Sequence, residues 1–103
     1  MATPEGTVNY FQRLKSKSIP EHAIRLLGKT HFKVSSIGFG GYRIHHNSIE
    51  HAKALRYALL NGCNLIDTSS NYTDGGSESL VGSVLAELGR DGRLPREAVV
   101  VVE

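Results

Sequence analysis

Cysteine is nearly missing from this chain, with Cys63 alone among 103 residues. That excludes an intramolecular disulfide and leaves too few thiolates to begin a structural zinc site. A reducing compartment fits, and a cytoplasmic location is expected. Long hydrophobic runs are missing too: the longest, Ala98–Val102, has five residues, far below the roughly 20 that cross a bilayer. No membrane partner is expected. Charge of one sign is also lacking, since twelve basic and ten acidic side chains leave a formal charge of +2. Without a face-wide run of Lys and Arg, the phosphate backbone has nothing to hold it, and no nucleic-acid partner is expected. What remains is an ordinary globular composition, 40% hydrophobic and 21% charged, in a length that suits one small domain.

Residues 1–20 differ from the rest, with scattered Thr, Ser, Gly and Pro, and with Arg13, Lys15 and Lys17 ahead of Ser18-Ile-Pro20. Transit peptides are Arg- and Ser-rich and poor in acid, but Glu5 breaks that pattern. The segment reads as a poorly ordered N-terminal extension, with one domain over 21–103.

Within that domain, Ala23–Leu27 and Phe32–Ser36 flank Gly28-Lys-Thr-His31 and predict a hairpin. Ser36–Gly40 reads as a buried strand running into a glycine pair. Asn47 with Glu50 forms a capping box, and Ile49, Ala52, Leu55 and Leu59 recur at helical spacing until Gly62. Cys63–Asp67 predicts a strand ending in an acid, followed by a polar loop. Ser77 is expected to cap a second helix, with Glu78 in its first turn and an apolar stripe of Leu80, Val81, Val84, Leu85 and Leu88, ended by Gly89. After a basic turn, Ala98–Val102 is the continuous apolar run of a covered parallel strand.

The order is a hairpin followed by βαβαβ, an α/β class with a parallel sheet whose ligand site lies at the strands' C-terminal ends. Periodicity leaves barrel and open sheet both standing. A dinucleotide fingerprint starting at Gly38 needs glycine at 38, 40 and 43, and Arg43 occupies the third position. A Walker loop fails as well, because no Gly-Lys-Ser/Thr follows at the required spacing.

The most informative stretch is Asn64-Leu-Ile-Asp67-Thr-Ser-Ser-Asn-Tyr72-Thr-Asp-Gly-Gly-Ser-Glu-Ser. It sets a carboxylate and a phenol between a hydrophobic strand and a helix. Together with Leu27-Gly-Lys-Thr-His-Phe-Lys-Val-Ser-Ser-Ile-Gly-Phe-Gly-Gly41, it resembles the aldo-keto reductase family. Two ordered motifs at the family's separation carry the resemblance, which runs from about Leu27 to the end.

The resemblance implies a (β/α)8 TIM barrel, of which this chain supplies the N-terminal portion opening with the β-hairpin. It also implies an oxidoreductase that moves hydride from NADPH, or alternatively NADH, to an aldehyde or ketone. Tyr72 stands at the proton-donor position and Asp67 at the position that anchors a lysine and approaches the nicotinamide ribose. Gly40, Gly41 and Tyr42 stand where the first strand meets the nicotinamide. The family's lysine and histidine have no counterpart before Glu103, so this chain by itself is expected to be inactive. An unperturbed phenol near pKa 10 is a sluggish acid at neutral pH without a cation beside it.

Taken singly, Asp67 reads as a turn carboxylate and Tyr72 as a packing residue; the combined motif outweighs both readings. Gly75-Gly76 reads as a loop-to-helix hinge in preference to an anion cradle. His45, His46 and His51 lack the i, i+4 pair of a helical zinc site, so no metal is expected, and Cys63 reads as a small buried hydrophobe. The alternative function is a non-catalytic truncated module that self-associates through exposed strand edges.

Overall fold

The structure, a computed structural model, describes residues 1–17, 19–40, 48–68 and 75–102. It is a mixed α/β arrangement. Helix α1 (Pro4–Arg13) leads into strands β1 (Ile24–Leu26), β2 (Lys33–Ser35) and β3 (Phe39–Gly40). These are followed by helix α2 (Ile49–Leu60), strand β4 (Leu65–Asp67), helix α3 (Gly76–Arg90) and strand β5 (Val100–Val102).

The expected hairpin is present, with β1 antiparallel to β2 and Arg25 opposite Val34. The remaining strands form a second sheet in the order β3-β4-β5, parallel throughout. Helices join its strands because parallel neighbours require a crossover. The core lies between that sheet and the helices. Leu55 and Leu59 of α2, Ile66 of β4 and Leu88 of α3 are each fully buried. All five residues of the expected α3 stripe are buried, whereas Ile49 at the head of the α2 stripe is 71% exposed.

The opening segment corrects the expectation of a poorly ordered extension, because it forms a capped and docked helix. Thr3 Oγ1 accepts a hydrogen bond from Gly6 N at 3.0 Å, Pro4 occupies the first turn and Glu5 complements the helix dipole. Thr7 and Tyr10, one turn apart, are buried against the rest of the molecule. The Tyr10 hydroxyl donates to Leu59 O and accepts from Gly62 N. A Cβ on Gly6 would fall 2.5 Å from Glu97 O, so only glycine lets the helix sit this close to the turn at Arg96–Ala98.

Three helix boundaries also shift. Ser48 is the α2 N-cap, its Oγ accepting from His51 N; the expected cap, Asn47, lies outside the described residues. Gly75 caps α3 at φ +88°, in the left-handed region that favours glycine, and Ser77 sits inside the first turn. Helix α3 passes through Gly89 to Arg90, and the chain then turns at Gly92 with φ +73°. Gly62 follows α2 at φ +113° as the expected stop.

Candidate active site at the C-terminal strand ends

The parallel register decides what meets at the end of the sheet. Phe39 pairs with Ile66 and Ile66 with Val101, while Gly40 pairs with Asp67 and Asp67 with Val102. Side chains alternate along a strand. Ile66 belongs to the helix-covered core, with Phe39 and Val101 packed against it, so the next level projects from the opposite face. Asp67 therefore points away from the helices at the C-terminal edge, between Gly40 and Val102.

Asp67 is exposed, and its carboxylate forms no hydrogen bond or ion pair with any described residue. A Cβ built on Gly40 meets nothing within 4 Å. An unengaged carboxylate beside an open glycine at a strand end can accept hydrogen bonds from a ligand. The two predicted residues that are described, Gly40 and Asp67, are thus brought together as direct sheet neighbours. The other predicted site residues, Gly41, Tyr42 and Tyr72, lie outside the described residues.

The structure adds two residues that motif reading did not single out. Thr68 and Ser77, 1% and 0% exposed, share a hydroxyl–hydroxyl hydrogen bond of 2.6 Å. Thr68 N also donates to Val102 O at 2.8 Å, tying the residue after Asp67 to β5. The signal for the pair was available as two hydroxyls flanking the Tyr72 loop, but Ser77 was read as a helix cap.

The opposite end of the sheet is closed. Asn64 is fully buried, and its Oδ1 accepts from Ser35 N while its Nδ2 donates to Lys33 O and Ala98 O. Its backbone carbonyl accepts from Val100 N at 2.8 Å. One side chain thus fastens the hairpin to the start of β4 and the approach to β5. No buried side-chain nitrogen or oxygen among the described residues lacks a partner.

The aldo/keto reductase family model matches residues 36–103. The chain belongs to the aldo/keto reductase family. Among the described residues, 36–103 hold the parallel sheet and both Gly40 and Asp67, so the matched region includes the candidate site. A Schizosaccharomyces pombe protein provisionally named a voltage-gated potassium channel subunit beta is 37% identical over 79 residues. That match takes in 73% of this chain and 22% of the relative, so the chain spans about a fifth of the relative's length. Family membership makes the chain part of an oxidoreductase family. Among the described residues no helix is long and apolar enough to cross a membrane.

Proposed function

We propose that this chain is the N-terminal part of a (β/α)8-barrel carbonyl reductase that uses NADPH, with NADH as the alternative donor. The observation that carries the reading is the pairing of Gly40 with Asp67 at the C-terminal edge of a parallel sheet, where barrel enzymes hold their chemistry. In such a barrel the helix-free face from which Asp67 projects is the interior. A cytoplasmic setting and a small-molecule carbonyl partner belong to the same proposal.

A reduced nicotinamide dinucleotide, when bound, supplies the hydride that adds to the carbonyl carbon. Asp67 would accept hydrogen bonds from ribose hydroxyls, and the open space at Gly40 would leave room for the ring, with Gly41 and Tyr42 assigned to the same site by the family resemblance. Tyr72 gives its phenolic proton to the carbonyl oxygen, which completes the alcohol, and a solvent proton then restores the phenol. A neighbouring ammonium, held by Asp67, brings the phenol toward an acidity useful at neutral pH.

The test uses the whole protein that carries this segment, assayed for NADPH binding and for aldehyde-dependent NADPH oxidation. Tyr72→Phe is expected to lower kcat by about 10² to 10⁴ while leaving NADPH affinity unchanged. The 103-residue chain alone is expected to show no turnover. A whole protein that neither binds NADPH nor reduces any aldehyde or ketone overturns the reading.

A second reading is favoured by the sheet edges, since β3 and β5 each pair on one side only among the described strands. On this reading the chain is a non-catalytic module that associates through those edges. Sedimentation of the 103-residue chain separates the two: a folded monomer at high concentration removes the second.

A further inference from the structure

We propose that Asn61-Gly62, at the end of α2, is a site of spontaneous asparagine cyclisation and deamidation, held shut by docked α1 through the Tyr10 hydroxyl. The inference is independent of the reductase reading, since it concerns the closed end of the molecule.

The turn that ends α2 departs from the usual glycine-stopped helix in one respect. Cys63 N donates to Ala58 O at 3.0 Å, the outer link of that motif. The inner link would run from Gly62 N to Leu59 O. The Tyr10 hydroxyl stands between those two groups, accepting from Gly62 N at 3.1 Å and donating to Leu59 O. A side chain 52 residues away thus completes the turn.

Asn61 is exposed, and the glycine after it has no side chain to obstruct attack on the carboxamide. In the reaction Gly62 N loses its proton and bonds to Asn61 Cγ, while the Cγ–Nδ2 bond breaks and ammonia leaves with a proton. Water then opens the imide ring at either carbonyl and gives aspartate or isoaspartate, with no oxidant or reductant required. Both reacting groups are engaged in the folded turn. Gly62 N is held by Tyr10, and Asn61 Nδ2 donates to Tyr57 O at 2.8 Å. Undocking of α1 takes Tyr10 away and releases the nucleophile. The isoaspartate product lengthens the main chain by a methylene within the turn that receives Tyr10, so the change runs one way.

The test follows the whole protein that carries this segment at neutral pH, below its melting temperature, with conversion of Asn61 from amide to acid read by peptide mass mapping. Tyr10→Phe keeps the ring and removes the hydroxyl. It is expected to speed the conversion about fivefold or more, the scale of one lost hydrogen bond. Val84→Ala opens a cavity in the core beside α3 and leaves Tyr10 in place, so it should convert at the wild-type rate. Should Tyr10→Phe fail to fold, Gly6→Ala carries the comparison, because its added methyl would fall 2.5 Å from Glu97 O and unseat α1.

Equal rates in wild type and Tyr10→Phe overturn the proposal, because the turn then protects itself, with Gly62 N closing on Leu59 O. A Val84→Ala protein that converts as fast as Tyr10→Phe overturns it too, since general loosening would then set the rate. An Asn61 that keeps its amide even in the urea-unfolded protein removes the site altogether.

Discussion

The two ends of the parallel sheet are built on opposite principles. At the N-terminal end, Asn64 is buried and joined to Ser35, Lys33 and Ala98, and Tyr10 fastens α1 to the end of α2. At the C-terminal end, Asp67 and Gly40 face solvent, and the Asp67 carboxylate has no partner among the described residues. Polar groups at the closed end have spent their hydrogen-bonding capacity on one another. At the open end the Asp67 carboxylate still has it to offer. Buried polar bonding therefore gathers at the closed end and an uncommitted carboxylate stands at the open one, the division of labour expected if the proposed barrel is correct.

The strongest way to break this contrast is to empty the closed end. Asn64→Ala leaves Ser35 N, Lys33 O and Ala98 O without their partner in a buried site. A loss of roughly 3 kcal/mol or more is expected in urea unfolding. A loss under about 0.5 kcal/mol, the ordinary scale of a surface substitution, would show that the closed end is not the stabilising one.

Tyr10→Phe sharpens the contrast at smaller cost, about 1 to 3 kcal/mol, because it leaves Gly62 N and Leu59 O unpaired. It also carries a pH signature. Burial, opposed in part by the hydrogen bond from Gly62, pushes the Tyr10 phenol far above its ordinary range. The folded state thus holds this proton more tightly than the unfolded state. The stabilisation is complete below the unfolded phenol's pKa near 10 and declines as pH rises beyond it. Melting curves from neutral to strongly alkaline pH should show a steeper alkaline decline in wild type than in Tyr10→Phe.

The smallest effect belongs to the open end. Asp67→Asn and Gly40→Ala should each change unfolding free energy by less than about 0.5 kcal/mol. The added methyl at Gly40 meets no neighbour. In the whole protein, Asp67→Asn should nonetheless weaken NADPH binding, measured by cofactor fluorescence titration. Equal damage to stability and binding would erase the contrast.

Much of this was legible in the residues themselves. The hairpin, the α3 stripe and the parallel strand order follow from periodicities that packing leaves unchanged, because each apolar face has one way to be buried. The meeting of Gly40 and Asp67 followed from placing both at strand ends, and the register then made them neighbours. The first helix was not read because its buried contacts come from Thr7 and Tyr10 and its partners lie far along the chain. Thr3-Pro4-Glu5 was its local signal, a cap followed by Pro and an acid. Asn64 was read only as one member of a motif, since its three side-chain partners sit about thirty residues away on either side. Ser77 looked like a cap because Ser at a helix start usually is one; the left-handed turn at Gly75 takes that place, and the Ser77 hydroxyl meets Thr68.

The docking of α1 has a consequence for the order in which the chain is made. Thr3 N donates to Glu97 O, so α1, made before the turn at Arg96–Ala98, finds its seat only after that turn has followed it. Until then Tyr10 lacks the far side of its cover, and the nascent segment carries an aromatic pair, Tyr10 against Phe11, in search of a surface. Such long-range closure is slow compared with local helix formation, so α1 is expected to dock late in folding.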